Sequence, residues 1–297
     1  MMRRKMRLCR AVCSAAICAG AAAGCGDVNA AFAQLAEARQ ISANLHVQFS
    51  KAADASNRAV MADTDETSIA FAREAEQAKQ AVKKDVDALG PIFERLKYAD
   101  ESHLLEEFVG RFAEYDALDR RILELAVLNT NLKAQRLSFG PAQDAADAFR
   151  DALESVAASA SGTDAWHVRA LVSSALAALR DIQVLQAPHI AEPEDQAMAR
   201  LEKRMAASEA AARSALQSLA TVASPASRPK LAAATAALNR FMELHAEILV
   251  LSHRNTNVHS LALSLSQKPA LTNACEERLR SLQDALAKRG PKVARGQ

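Results

Sequence analysis

Apolar side chains recur every three or four residues along most of the chain, and polar side chains fill the positions between them. This spacing places the apolar residues on one face of an α-helix, and no alternation of strand type extends over any length. Prolines, glycines and capping residues interrupt the pattern at intervals. The pattern predicts an all-α protein with helical segments at about residues 28–62, 66–97, 102–138, 142–160, 164–186, 194–222, 229–266 and 270–289.

The helical pattern repeats itself at an offset of 126 residues. Six of the ten positions in 122–131 are identical to those in 248–257, and the predicted turns at 64–67 and 98–101 map onto 190–193 and 224–227. Chance similarity among alanine-rich helices is the alternative, but the matching break points favour an internal duplication. We therefore predict elongated tandem four-helix bundles, with repeats at 25–153 and 154–289 and a flexible tail at 290–297.

Each repeat contains the triplet Asn-Thr-Asn directly after a leucine-rich helical stretch. Steps of three and four residues lead from Leu125 to Asn129 and on to Leu132, so the first asparagine falls on the apolar face. Asn255 has the same position in the second repeat. The spacing predicts that both asparagines are buried within continuous helices, while the other two residues of each triplet lie to the side.

A buried asparagine amide requires hydrogen-bond partners, and two roles would supply them. The triplets could fix the register of neighbouring helices. For either role we predict that Asn255→Leu leaves the stability similar or higher, with a loss of unique register as a further expected effect. They could instead line a ligand cavity, with Arg136 as a carboxylate anchor. Ala262, the counterpart of Arg136, breaks the repeat, and an arginine near a helix end more often reaches toward solvent. The candidate ligand-binding residues are Asn129, Thr130, Asn131, Arg136, Asn255, Thr256 and Asn257.

The first 24 residues have the pattern of an export signal. A basic stretch precedes a 14-residue apolar segment at 11–24, which is too short to span a membrane. The sequence Ala-Ala-Gly-Cys at 22–25 resembles the bacterial lipoprotein signal, which implies a signal peptide at 1–24 and lipidation of Cys25. Ordinary cleavage near Ala23 and an uncleaved anchor are the alternatives. In such lipoproteins an aspartate after the lipidated cysteine retains the protein in the inner membrane, and this chain has Gly26 there. The resemblance therefore also implies an outer-membrane lipoprotein that faces the periplasm.

Charge and composition remove several classes of function. The net charge is +2, but five of the 37 basic residues lie in the first ten, and the remaining 32 face 35 acidic residues. A nucleic-acid partner is therefore not expected. Cys275 is the one cysteine after Cys25, so no internal disulfide is predicted. The sequence lacks Glu-x-x-His, a glycine-rich phosphate loop and paired-cysteine metal motifs, and we predict neither an enzyme nor a cofactor or metal site.

Residues 104–131, "LLEEFVGRFAEYDALDRRILELAVLNTN", followed by a turn and a short helix, resemble the periplasmic four-helix-bundle sensor module of methyl-accepting chemotaxis proteins. The tandem arrangement is similar to the longer helical sensor domains of some chemoreceptors. The resemblance implies a bundle that senses a small ligand or a partner outside the inner membrane. It departs from the family because no apolar run of membrane-spanning length and no signalling coil follow, so we expect a sensor that acts through another protein.

Two functions remain as expectations from the sequence. The first is a lipid-anchored, non-catalytic sensor-like module that binds a small molecule or a signalling protein. The second is a structural or assembly lipoprotein that contacts envelope proteins through its exposed helix faces. A polar pocket in the helix core would distinguish the first from the second.

Overall fold

The computed structural model describes the backbone of residues 15–289 and the side chains of residues 29–289. All the regular secondary structure in this part is helical, which confirms the all-α prediction. The α-helices are α1 Ala15–Met61, α2 Asp65–Leu96, α3 Ala99–Ala126, α4 Thr130–Phe139, α5 Pro141–Ala158, α6 Ala165–Ala191, α7 Asp195–Val222, α8 Arg228–Arg254, α9 Thr256–Ser266 and α10 Lys268–Lys288, and a short 3-10 helix covers Pro225–Ser227.

Parts of the predicted leader and tail lie outside the described residues. These are residues 1–14, the tail 290–297 and the side chain of Cys25, the predicted lipidation site. Among the described residues, no helix combines the length and the apolar character that a membrane crossing requires.

The chain forms two compact units that do not follow the order of the sequence. In the described part, the first unit comprises residues up to Arg58, Ala70–Arg120 and the residues from Ser266 onward. The second unit comprises Ala59–Ile69 and Arg121–Leu265. The first therefore contains most of α1, α2 and α3 together with α10, and the second contains α4 to α9.

Each unit includes one long helix that begins within the other predicted sequence repeat. In the first unit, Leu279 and Leu282 of α10 are fully buried among side chains of α1, α2 and α3. In the second unit, Phe149 and Leu153 of α5 are fully buried, and α5 packs against α6 and α8. The compact units thus differ from the predicted division into 25–153 and 154–289, because α5 and α10 each join a core other than that of their own sequence repeat.

Aromatic side chains fill the centre of the first unit. The Phe49 ring of α1 makes edge contacts with Phe108 at 6.1 Å and Tyr115 at 5.1 Å between ring centroids. Full burial of one such ring contributes about 1.5–3 kcal/mol, and edge-to-face pairs add to this. These contacts join α1 to α3.

The prediction of single helices at 102–138 and 229–266 is wrong, because each is broken at the first asparagine of its triplet. Asn129 has φ 50° and ψ 38°, and Asn255 has φ 51° and ψ 33°, which is the left-handed helical region. Asparagine tolerates this conformation better than other residues with a side chain beyond Cβ. The apolar spacing continues across the break, so it does not reveal the change of direction.

Candidate functional site

The two triplets meet within the second unit and cap each other's helices. The Thr130 N–H donates to Thr256 Oγ1 at 3.2 Å, and the Thr256 N–H donates to Thr130 Oγ1 at 3.2 Å. In the same way the Asn131 N–H donates to Asn257 Oδ1, and the Asn257 N–H donates to Asn131 Oδ1, both at 3.1 Å. These four bonds satisfy N–H groups at the starts of α4 and α9, which have no acceptor within their own helices.

The asparagine side chains are bonded to each other and to the backbone. Asn131 Nδ2 donates to Asn255 Oδ1 at 2.8 Å and to the Ile190 carbonyl at 2.6 Å. Asn257 Nδ2 donates to Asn129 Oδ1 at 2.9 Å, and Asn255 Nδ2 donates to the carbonyl of Glu192 at 2.7 Å. The polar atoms of the triplets are thus almost all used in a local network.

One atom breaks the symmetry of this network. Asn129 Nδ2 is buried and has no hydrogen-bond partner among the described residues, whereas the equivalent atom of Asn255 has one. The prediction that Asn129 and Asn255 are buried is confirmed, with exposed fractions of 0 % and 2 %. The prediction that the other triplet residues lie to the side is wrong for Thr130, Asn131 and Thr256, which are also buried.

Arg136 lies apart from the triplet network. Its Nη2 donates to the main-chain carbonyl of Asp63 at 2.8 Å, and its Nη1 lies 3.9 Å from Asp65 Oδ1. The side chain is half exposed, as expected for an arginine that reaches toward solvent. Through these contacts Arg136 links α4 to the connection between α1 and α2.

A buried network of charges in the first unit was not foreseen from the sequence. The Lys79 ammonium is fully buried and lies 2.9 Å from Asp116 Oδ1 and 3.2 Å from Asp119 Oδ2. Lys268 Nζ lies 3.0 Å from Asp119 Oδ1, and the Ser56 hydroxyl donates to the same oxygen at 2.5 Å. The network therefore links α1, α2, α3 and α10.

Lys79 and Asp116 stabilise each other's ionised forms, whereas burial, together with the charge of Lys79, holds the pKa of Lys268 below its usual value despite the opposing effect of Asp119. Burial lowers the pKa of the Lys79 ammonium, but the carboxylates of Asp119, Asp116 and Glu76 outweigh this and hold it above its usual value. Burial raises the pKa of Asp116, and the hydrogen bonds and charges of Lys79 and Lys83 hold it below its usual value. Because Lys79 and Asp119 are fully buried, these groups join helices rather than face a substrate.

The 126-residue offset is the signal that could have located this network. The counterparts of Lys79 and Asp116 in the second repeat are Met205 and Met242, and the counterpart of Lys268 is Ala142. A charged residue whose counterpart at this offset is apolar falls at a position expected in the core, and a buried charge there needs a partner.

A second cluster, in the second unit, consists of His189, Glu202 and His253. The Nε2 atoms of His189 and His253 lie 2.8 and 2.7 Å from Glu202 Oε1. Burial raises the pKa of Glu202, but the hydrogen bond from His189 and the charges of the two imidazoles hold it below its usual value. The three residues come from α6, α7 and α8, so no spacing in the sequence reveals them.

His245 lies on α8 two turns before His253. Its Nδ1 is 3.2 Å from Gln186 Nε2, and Gln186 Oε1 accepts a hydrogen bond from the Ser138 hydroxyl at 2.7 Å. Burial lowers the pKa of His245 to about 4, and the charge of His189 acts in the same direction against the weaker opposing effects of Glu209 and Glu202. His245 is therefore a neutral core histidine at neutral pH.

An open groove in the second unit lies between the last turns of α3 and helix α9. It has a volume of about 540 Å³ and is lined by Arg121, Glu124, Leu125, Leu128, His259, Ala262 and Leu263. Leu128 is 48 % exposed, and two further leucines of α9, Leu261 and Leu265, are also exposed. Four of the lining residues are apolar, and the charged side chains of Arg121 and Glu124 also line the groove.

The fold and these sites define an all-α helical protein with two compact units and a polar crossing of two chain segments in the second. No family model, curated protein or solved structure matches the chain. The resemblance to a chemoreceptor sensor module and the lipoprotein signal therefore stay predictions from the sequence.

Proposed function

We propose that the protein is a lipid-anchored, non-catalytic module of the cell envelope that acts by contacts with another protein. The observation that supports this proposal most directly is the hydrogen bonding of the triplets. Their side chains, the polar layer expected for a ligand cavity, bond to each other and to main-chain groups at 2.6–3.2 Å. A ligand at this position would have to replace bonds that already satisfy these groups.

The groove between α3 and α9 supports the same proposal. It is lined mostly by apolar side chains, and Leu128 and two leucines of α9 are exposed to solvent. Exposed large apolar side chains that occur together with charged residues are typical of surfaces that bind other proteins. The proposed contact surface therefore comprises this groove and the exposed leucines Leu128, Leu261 and Leu265.

Photocrosslinking in cells tests the contact surface. A photoreactive residue would replace Leu128 or Leu265, and a control would replace Glu243, whose side chain is 67 % exposed in the same unit. We expect a discrete crosslinked product at the two leucine positions and none at Glu243. The same products at all three positions, or none at any, would contradict the proposal.

A sensor that binds a small ligand is the second candidate. It is favoured by Asn129 Nδ2, a buried donor without a partner among the described residues, which a ligand carboxylate or carbonyl could accept from. A thermal-shift screen with small carboxylates, amino acids and aromatic acids distinguishes the two. A ligand at about 100 times its dissociation constant adds roughly 2.7 kcal/mol of stability. A shift that is lost in Asn129→Gly, which retains the left-handed backbone, would favour the sensor.

The lipid anchor has a separate test. Replacement of Cys25 by serine removes the thiol that the lipoprotein signal would modify. We expect the wild-type protein to fractionate with membranes and to carry a lipid-modified residue 25 by mass spectrometry. We expect Cys25→Ser to lose both properties, and membrane association unchanged by this substitution would argue against the anchor.

A further inference from the structure

We propose that His189, Glu202 and His253 form a binding site for a single zinc ion. The ligand atoms of the three side chains all lie within 4.8 Å of one another. Two imidazole nitrogens and one carboxylate oxygen form a ligand set that zinc accepts, with a water in the fourth position. The sequence predicts no metal site, and this inference does not depend on the proposed contact with a partner protein.

The hydrogen bonds around His189 fix which nitrogen is available to the ion. The Ser252 hydroxyl donates to the His189 carbonyl at 3.0 Å, and it lies 2.9 Å from His189 Nδ1. Because the serine proton is used on the carbonyl, Nδ1 carries the hydrogen and donates to Ser252 Oγ. Nε2 is then the unprotonated nitrogen in the neutral ring, and its lone pair points toward Glu202.

This arrangement places electron-pair donors against each other. In the neutral ring, His189 Nε2 faces Glu202 Oε1 at 2.8 Å, and neither atom carries a proton for the contact. His253 Nε2 approaches the same oxygen at 2.7 Å. The contact of His189 with Glu202 needs either a second proton on the ring or a cation between the two atoms, and a divalent ion would satisfy both imidazoles and the carboxylate with one centre.

The surroundings of the cluster fit a zinc site. His189 is fully buried and held by Ser252, which is the kind of outer hydrogen bond that orients metal-binding histidines. Glu202 and His253 keep 31 % and 47 % of their side chains exposed, so the fourth position is open to water. Tetrahedral ligands at about 2.0–2.1 Å from zinc are about 3.3 Å apart, so the two exposed side chains need to move outward by about half an ångström.

The cluster occurs in one half of the chain only. The positions 126 residues earlier are Asp63, Glu76 and Val127, and Glu76 lies 3.0 Å from the Lys79 ammonium in the buried network of the first unit. We therefore expect one zinc ion per chain rather than two.

Calorimetric titration of the full chain with Zn²⁺ tests the site. The protein carries no histidine tag and is treated with a chelator before use. We expect saturable binding of one equivalent, and no such binding of Mg²⁺, which prefers oxygen ligands. Glu202→Gln and His253→Asn should abolish the binding. Ser252→Ala should weaken it about 10- to 100-fold, because the orientation of His189 is lost.

Matched controls identify the ligands. His167→Asn removes an exposed histidine from the same helix as His189, and Glu243→Gln neutralises an exposed carboxylate of α8. Both should bind zinc as the wild type does. Cobalt provides a second readout, because Co²⁺ bound at the wild-type site should show the visible spectrum of a four-coordinate ion, and His253→Asn should not. Absence of saturable zinc binding, or equal affinity in wild type, Glu202→Gln and His253→Asn, would overturn the proposal.

Discussion

The buried Lys79 ammonium offers a quantitative test of the charge network in the first unit. Lys79→Met replaces it with the residue found at the counterpart position, Met205, which is itself fully buried. The substitution leaves Asp119 with Lys268, and it leaves Asp116 with the half-exposed Lys83 at 3.0 Å and the exposed Arg120 at 3.5 Å. One negative charge in the core then lacks a buried partner, which costs about 3–5 kcal/mol in comparable networks. Since each carboxylate keeps at least one cation, we expect a loss at the lower end of this range, about 3 kcal/mol.

Removal of the opposing charge should restore most of this loss. In Lys79→Met/Asp116→Met both positions carry the methionines of the second repeat, and Asp119 keeps Lys268 and Ser56. We expect the double variant to lie within about 1 kcal/mol of the wild type, because replacing a whole buried pair is far less costly than breaking it. The coupling energy of the cycle should then reach at least about 2 kcal/mol.

Urea unfolding followed by far-UV circular dichroism measures these free energies. Hydrogen exchange read by mass spectrometry on peptides of α2 and α3 assigns the change to the first unit. Lys51→Met is the matched control, because Lys51 is 54 % exposed and lies 3.6 Å from its nearest carboxylate, Glu74. It should change the free energy of unfolding by no more than about 0.5 kcal/mol. If Lys79→Met were as stable as Lys51→Met, or if the double variant were no more stable than Lys79→Met, the reasoning would be refuted.

Three further predictions concern the second unit and the one cysteine of α10. Asn255→Leu should destabilise by about 2 kcal/mol or more, contrary to the expectation from the sequence, because it forces a branched side chain to φ 51° and removes bonds to Asn131 and Glu192. Asn255→Gly should lose less in the same denaturation assay, and equal losses would exclude a backbone contribution. In the folded protein the pKa of His245 is lowered from 6.5 to about 4. As the pH falls, the unfolded chain therefore takes up a proton at His245 before the folded protein does. The wild type should therefore lose roughly 3 kcal/mol relative to His245→Gln between pH 7 and pH 4, measured with a chelator, and a difference independent of pH would contradict this. Burial raises the pKa of the Cys275 thiol to about 12, so alkylation mapped by mass spectrometry should modify it in urea and leave it unmodified in the native protein.

The sequence predicts the helical content well and the connections poorly. Alanine-rich segments with apolar positions every three or four residues require helices, and the boundaries marked by proline and capping residues agree with most of the helix ends. The breaks at Asn129 and Asn255 are missed because apolar residues continue the same spacing on both sides. The side chains of these two asparagines bond to Asn257, Asn131 and Glu192, which are 63 to 128 positions away, and a local pattern does not contain that information.

The exchange of α5 and α10 is missed for a related reason. Short connections favour packing between consecutive helices, which is the basis for predicting one bundle per repeat. Phe149 of α5 instead packs with the helices that follow it, and Leu279 of α10 enters a core built by α1, α2 and α3, far away in the sequence. The His189, Glu202 and His253 cluster depends on three helices at once and has no signature in the sequence.

The position of α10 also constrains the order in which the protein can fold. The second unit draws on the nearly continuous segment Arg121–Leu265, so its core can close once that stretch is available. The first unit begins at α1 but needs Leu279, Leu282 and Leu286, and the Arg39 guanidinium donates to the Leu286 carbonyl across 247 residues. Contacts of such long sequence separation form slowly. During synthesis, the core of α1, α2 and α3 therefore stays incomplete until α10 is available, and in that interval their apolar faces depend on other molecules for protection from solvent.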